Sequence, residues 1–218
     1  MFIGHWAPAF AAAAISPKAP KLGTLFVAGQ LVDWGFAILA LVGVEKLRIV
    51  PGITAMNSMD LYHMPYTHSL LGAAIWGAAF ALVVFAWQKN FTGALIAGAV
   101  VISHWFLDLL VHRPDLTLTG APPPIGLGLW NYPLIEIPLE LGITLAAFTW
   151  YVRRTRGPTL PPFILLGVML TVQFASWFGP QPAEVGPAVL LAAMATLGVV
   201  TFLAYWVGTT RRHQRLRG

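Results

Sequence analysis

Three side chains at helical spacing stand out within a strongly apolar part of the chain. In the stretch SHWFLDLLVHRPD, His104, Asp108 and His112 follow one another at intervals of four residues. Residues four apart share one face of an α-helix, so these three side chains would form a single polar stripe. Imidazole and carboxylate together suit Zn²⁺, or Mn²⁺ and iron where oxygen ligands are more numerous. The stripe therefore predicts one wall of a metal site.

The composition places this stripe in a membrane protein. Of the 218 residues, 57% are hydrophobic and 10% are charged, whereas soluble domains average about 25% charged residues. Since a full span needs about 20 residues, we predict an all-α, polytopic membrane helical bundle with six full or near-full spans and a short N-terminal membrane helix. The absence of cysteine excludes disulfides, thiolate metal ligands and a cysteine nucleophile. The apolar segments are 3–16, 23–43, 66–87, 92–112, 130–151, 161–178 and 187–208.

The basic residues are divided unequally between the two sides of such a bundle. If the chain changes side at each segment, one side, called face A, receives ten, and the other, face B, receives Lys46, Arg48 and Arg113. The positive-inside rule then makes face A cytoplasmic, with the C-terminus on that side. This topology explains the formal charge of +5 better than nucleic-acid binding does. The face A residues are Lys18, Lys21, Lys89, Arg153, Arg154, Arg156, Arg211, Arg212, Arg215 and Arg217.

More ionisable residues fall at the depth of the stripe, in the half of the membrane next to face B. A charge at mid-bilayer costs about 2.5–3.5 kcal/mol, and the spans contain no lysine or arginine to neutralise the acids. Positive charge must then come from protonation or a bound cation, and one divalent ion would offset two carboxylates. This clustering favours a shared metal site over isolated polar contacts. These residues are His5, Asp33, His63, His68, Glu136 and Glu140.

The motifs HMPYTHSLLG, SHWFLDLLVHRPD and GLGLWNYPLIEIPLELG, after an early His and LVD, resemble those of a bacterial inner-membrane family described as metal-dependent hydrolases. The order of these residues is also similar to that in zinc-dependent phospholipase C and P1-type nucleases, which are helical phosphoesterases. The resemblance covers about residues 1–151. It implies an inner-membrane location, metal ligands at His5, Asp33, His68, His104 and Asp108, and a ligand or general base at Glu140.

The sequence departs from the family pattern at three points. Val32 stands where the family usually has proline, and Met64 follows His63 where the family often has arginine. The chain also lacks the later His-x-x-x-Glu of the soluble phosphoesterases. The resemblance therefore implies one or two metal ions rather than a cluster of three.

From these observations we predict a membrane-embedded metal-dependent hydrolase that acts from the extracytoplasmic side on a lipid or lipid-linked ester, with phosphoesters as the first candidates. We expect a single domain, 1–218, in which 1–151 carries the site and 152–218 supplies two apolar helices and a basic tail. The partner is membrane lipid rather than nucleic acid, and a homodimer is left open. Zinc is the expected cofactor, with manganese and iron as alternatives. The predicted metal ligands are His5, Asp33, His63, His68, His104 and Asp108, and the predicted catalytic residues are Glu136, Glu140 and His112.

Three other functions use the same residues. A transporter for protons or divalent metal would place acids and histidines inside spans, but a path should continue toward face A, where such residues are missing. Haem could take His68 and His104 as axial ligands, although the surplus of acids argues against it. A structural metal would form a closed site, and the number of candidate ligands exceeds what one structural ion needs.

Overall fold

The computed structural model describes residues 1–214, and this part of the chain forms seven α-helices, six of them long and apolar enough to cross a membrane. This confirms the predicted all-α bundle and its six spans plus a short N-terminal helix. Arg215 and Arg217 of the predicted basic tail lie outside the described residues. The helices are α1 (Ala7–Ile15), α2 (Leu22–Leu41), α3 (Leu70–Gln88), α4 (Phe91–Val111), α5 (Pro133–Arg154), α6 (Leu160–Phe178) and α7 (Pro187–Thr210).

The helix starts follow from local chemistry. The Ser69 hydroxyl accepts a hydrogen bond from the Gly72 N–H at 2.9 Å and so caps α3. The Asn90 side chain caps α4 by accepting from the Gly93 N–H at 3.1 Å. Proline occupies the first turn of α1, α5, α6 and α7, where its missing N–H costs no helical hydrogen bond.

A short pair of antiparallel strands lies at each face of the bundle, a hairpin on face B and two strands far apart in the chain on face A. On face B, β1 (Lys46–Ile49) pairs with β2 (Met59–His63) between α2 and α3. On face A, β3 (Thr155–Arg156) pairs with β4 (Arg212–His213). The face B hairpin is joined to the segment after α4, because Asp60 accepts hydrogen bonds from both Arg48 and Arg113.

The face A half of the bundle is closely packed. A Cβ added to Gly23 of α2 would lie 2.7 Å from the Tyr205 Cα of α7, and one added to Gly208 of α7 would lie 3.0 Å from the Leu22 nitrogen. Only glycine permits helices to approach so closely. Beside them, the Phe10 ring of α1 lies 5.0 Å from the Phe26 ring and 5.6 Å from the Phe148 ring.

Helix α1 is too short to cross a bilayer. Its nine residues rise about 14 Å, roughly half of the apolar thickness of a membrane. A 3₁₀ turn, Ile3–Trp6, precedes it and is buried in the bundle, where unpaired backbone groups are costly.

Three buried polar side chains satisfy the backbone of this turn. The Glu140 Oε1 accepts from the N–H groups of Phe2 at 2.6 Å and Gly4 at 2.9 Å. The Gln173 Oε1 accepts from the Ile3 N–H at 3.1 Å, and the Gln30 side chain donates to the Phe2 carbonyl at 3.0 Å. Side chains of α2, α5 and α6 therefore fix the turn that carries His5.

Candidate metal centre

Four side chains from three parts of the bundle converge on one point. The Asp33 Oδ1 of α2 lies 3.4 Å from the His68 Nε2 and 3.5 Å from the His104 Nε2. The Asp108 Oδ2 lies 3.6 Å and 3.1 Å from the same two nitrogens. Two ligand atoms bound to one tetrahedral zinc at about 2.1 Å each are about 3.4 Å apart. The spacing of these four atoms therefore suits a shared cation.

Asp108 faces two more imidazoles with its other oxygen. The Asp108 Oδ1 lies 2.9 Å from the His5 Nε2 and 3.5 Å from the His112 Nε2. The Met1 nitrogen is 3.3 Å from the same oxygen. The His5 ring also stacks on the His104 ring with a centroid distance of 3.6 Å. One carboxylate thus stands between two groups of donors, an arrangement that could bridge two ions.

Three of the histidines are anchored through Nδ1, which leaves Nε2 directed at Asp108. The His104 Nδ1 lies 2.9 Å from the Gly29 carbonyl, and the His112 Nδ1 lies 2.8 Å from the Asp115 Oδ1. The His68 Nδ1 lies 2.8 Å from the Thr67 Oγ1. Such partners fix the tautomer of metal-binding histidines and raise their basicity.

His68 lies in the loop before α3, and Glu45 secures that loop. The Glu45 Oε2 accepts from the Thr67 hydroxyl at 2.6 Å, and its Oε1 accepts from the N–H groups of Tyr66 at 2.8 Å and Thr67 at 3.0 Å. The Trp105 indole of α4 donates to the His68 carbonyl at 3.2 Å. Because the Thr67 hydroxyl donates to Glu45, it accepts from His68 and leaves the His68 Nε2 free of a proton.

Unpaired atoms at the centre support a cation more than a set of neutral hydrogen bonds. The Asp108 Oδ2 and the His104 Nε2 are buried and lie 3.1 Å apart, but the geometry gives neither of them a hydrogen bond within residues 1–214. A buried polar group without a partner costs about 1–3 kcal/mol. A divalent ion would satisfy both atoms, so the residues fit a metal.

The charges around His112, at the face B edge of the cluster, also favour a cation there. Burial by itself lowers the pKa of His112, but the carboxylates of Asp108 and Asp115 outweigh it and raise that pKa above its usual range. The cluster thus favours positive charge at His112.

A cavity of about 450 Å³ opens beside the cluster. Asp33, His68, Asp108 and His112 form its polar side. The Asp33 side chain is 30% exposed, whereas those of His68 and Asp108 are 4% and 2% exposed. The carboxylate of Asp33 is therefore the most accessible part of the cluster. The remaining lining is mostly apolar and comes from α2, α6, α7, the face B hairpin, Phe2 and Trp130.

The predicted ligands are brought together with one exception. His5, Asp33, His68, His104 and Asp108 all contribute to the cluster described above. His63 is exposed at the end of β2, where it pairs with Lys46, and the structure does not bring it to the cluster.

The three predicted catalytic residues occupy different positions. His112 lies against Asp108 and packs on Trp130, with ring centroids 4.2 Å apart and the rings tilted by 39°. Both oxygens of Glu140 accept hydrogen bonds: Oε1 from the backbone of the 3₁₀ turn, and Oε2 from the Gln173 amide at 3.2 Å. Glu136 is buried, and neither of its oxygens has a hydrogen-bond partner among the described residues.

Sequence reasoning assigned no role in the site to Glu45, Asp115 or the Gly29 carbonyl, although all three orient metal-ligand candidates. Asp115 ends the stretch SHWFLDLLVHRPD, three residues after His112, and that spacing was a usable signal. Glu45 lies 22 residues from Thr67, and no local pattern joins the two. Gly29 is needed for close approach as well, since an added Cβ would lie 2.7 Å from the His5 carbonyl.

Fold and site together define a multi-pass helical membrane protein with a buried histidine and aspartate cluster that could hold a metal ion. No protein-family model, curated protein or solved structure matches the chain. The resemblance to the inner-membrane hydrolase family is not tested by these comparisons and stays a prediction.

Proposed function

We propose that this protein is a membrane-embedded, metal-dependent hydrolase that acts on a lipid or lipid-linked ester, with phosphoesters as the leading class. The observation that carries the proposal is the convergence of imidazole and carboxylate atoms on Asp108 at the wall of a cavity. A cluster that only stabilised the bundle would have no need of an adjoining cavity, because structural metal sites are closed.

The donor set favours zinc, bound as one or two ions. Asp33, His68, His104 and the Asp108 Oδ2 would hold the first ion, while the Asp108 Oδ1 and His5 would contribute to a second. Nitrogen and oxygen donors in this proportion suit Zn²⁺, and manganese or iron would require more oxygen ligands. The unequal distribution of basic residues makes face B extracytoplasmic, and the cluster lies in that half of a bacterial inner membrane.

A divalent ion bound there would polarise a phosphoryl or carbonyl oxygen and lower the pKa of water to about 7. Hydrolysis adds water across the ester bond: the water oxygen bonds to phosphorus, the bond from phosphorus to the leaving oxygen breaks, one water proton passes to a base, and the leaving oxygen receives a proton. Of the two glutamates, Glu136 is the candidate for the base, since neither of its oxygens has a hydrogen-bond partner among the described residues while those of Glu140 hold the turn. His112 would protonate the leaving oxygen, because it lines the cavity and the Asp115 carboxylate at its Nδ1 supports a charged imidazole.

The first experiment measures the metal content of the purified protein by elemental mass spectrometry. We expect about one or two equivalents of zinc in the wild type, and near-complete loss in His104→Ala and Asp108→Ala. His63→Ala is the matched control, because it removes an exposed imidazole that the structure places outside the cluster. A well-folded wild type that binds no metal even after metal addition would contradict the proposal and favour proton-coupled transport.

The second experiment measures hydrolysis of synthetic phosphodiesters by the metal-loaded protein. Asp108→Ala should have no turnover while keeping the helical content and elution profile of the wild type. Full turnover in that variant would remove the cluster from the reaction.

A further inference from the structure

The cavity beside the cluster has two unlike sides. Its polar side belongs to the metal centre, and its opposite side is formed by Phe36 and Ala37 of α2 together with residues of α6 and α7. In α7 the lining residues recur at intervals that keep them on one helix face. They are Val189, Leu190, Ala193, Thr196 and Leu197, a wall of about 12 Å at 1.5 Å per residue.

The cavity is open toward the surroundings on the α6 and α7 side. Ala175 and Ser176 of α6 and Ala193 of α7 are exposed, while Leu190 and Leu197 behind them are buried. Helices α2 and α7 meet closely near face A, at Gly23 and Gly208, and the cavity lies between them only in the face B half. It is therefore a wedge that widens toward face B.

Residues above the wedge are also apolar. Leu47, Met59 and Leu61 of the face B hairpin line the part of the wedge that is nearest to face B. The hairpin is fixed there by the bonds of Asp60 to Arg48 and Arg113. A ligand that fills the wedge would be in contact with hydrocarbon on most of its surface and with the cluster on one side.

We infer that the wedge binds the hydrocarbon chain of an amphiphilic substrate and thereby places its phosphoester at the metal centre. The inference rests on the proposed function and adds where the substrate's chain binds: the phosphoester has a long alkyl or acyl chain attached next to the bond that is cleaved, and the wedge holds that chain. A volume of about 450 Å³ lies within the range of pockets for single small ligands. Apolar walls select the chain, and the accessible carboxylate of Asp33 marks the side on which the head group lies.

The binding test uses a lysophosphatidic acid that carries a diazirine in its acyl chain, with the protein in lipid nanodiscs and no metal added. Illumination should label residues of α6 and α7 that line the wedge, and peptide mass spectrometry locates the labels. Ala193→Trp places an indole in the wedge, while Ala192→Trp, one residue away, adds the same side chain at an exposed position that does not line it. We expect labelling to fall about tenfold in Ala193→Trp, as when about two methylenes lose their contacts, and to be unchanged in Ala192→Trp.

The same two variants are then assayed for turnover of p-nitrophenyl dodecyl phosphate and p-nitrophenyl methyl phosphate. The ratio of the two kcat/KM values should favour the dodecyl ester in the wild type and in Ala192→Trp, and should fall in Ala193→Trp. Labelling of the wedge without hydrolysis of either ester would contradict the proposed hydrolase activity and support the wedge as a binding site for the hydrocarbon chain. Hydrolysis of both esters with equal labelling in both variants would support the hydrolase activity and contradict the inference that the wedge binds the chain.

Discussion

The two halves of this bundle are built on different principles. In the face A half, helices are in van der Waals contact through glycines and aromatic rings, and the charged residues lie at or beyond the helix ends. In the face B half, ionisable side chains point at one another, several polar atoms have no partner within the described chain, and a cavity separates the helices. The contrast suggests that packing near face A stabilises the fold, and that this stability tolerates a costly polar site near face B.

Arg211 shows how the face A half treats a buried charge. Its guanidinium donates to the Thr155 hydroxyl and to the carbonyls of Val152, Thr155, Gly157 and Pro158. All five N–H groups have partners, and the carbonyls of Val152 and Thr155 lie at the negative end of α5. The charge is therefore satisfied by protein alone, unlike the carboxylate of Asp108.

The largest effect is expected for a change in the face B half that affects metal binding and leaves the packing near face A as it is. Asp108→Asn keeps the shape of the side chain and removes its negative charge, and we expect it to abolish metal binding because the central carboxylate contacts four imidazoles. Thermal unfolding without metal should change little, since the packed half is untouched. Isothermal titration with zinc checks this, and an unchanged affinity would contradict the assignment of Asp108 as the shared ligand.

The next largest effect is expected for a change in the face A half that lowers the stability of the fold and leaves metal binding as it is. Phe10→Ala removes a buried ring that contacts Phe26, Phe148 and Tyr151, and should lower the free energy of unfolding by about 3 kcal/mol. Zinc stoichiometry at a temperature where the variant is folded should equal that of the wild type. The exposed Phe85→Ala on α3, also near face A, is the control, and an equal loss of stability there would show that the buried contacts of Phe10 have no special weight.

A smaller effect concerns the support of one ligand. Thr67→Val removes the hydroxyl between Glu45 and His68 while keeping the shape of the side chain, and should weaken zinc binding about 10–100-fold. Thr171→Val, an exposed threonine of α6 bonded only to its own helix, is the matched control. If both variants bind zinc like the wild type, the chain from Glu45 to His68 does not orient the ligand.

The smallest effect tests the buried arginine. Arg211→Lys keeps the charge but supplies at most three donors, so we expect a loss of about 1–2 kcal/mol in the free energy of unfolding. Zinc affinity should not change, because Arg211 lies in the other half. Arg212→Lys, at an exposed neighbouring position, should leave both quantities as they are. A zinc site weakened by Arg211→Lys would mean that the two halves are coupled.

The spans were predictable because the bilayer imposes their length and composition. The predicted segment 92–112 and the observed α4, Phe91–Val111, differ by one residue at each end. The convergence of His5, Asp33, His68, His104 and Asp108 was predictable from depth alone, since each falls at a similar distance from face B. The two strand pairs were not predicted. Strand β1 has four residues and β2 has five, which is too few for a periodic signal.

The roles of individual side chains were less accessible from the sequence. His63 and His68 belong to the same motif, yet His63 lies on a strand and His68 beside α3, and no periodicity distinguishes them. Glu140 was expected in the chemistry, whereas its oxygens hold the backbone of a turn more than 130 residues away in the chain. Such pairings depend on which helices are neighbours, and hydropathy does not encode that.

The anchoring of the first turn has a consequence for the order of biosynthesis. His5 emerges early during translation, but the turn that carries it is held by Glu140 of α5 and Gln173 of α6. We therefore expect the turn to be fixed near Asp108 only once α6 has been synthesised. A chain that ends before Gln173 should lack one of these anchors and hold His5 less firmly.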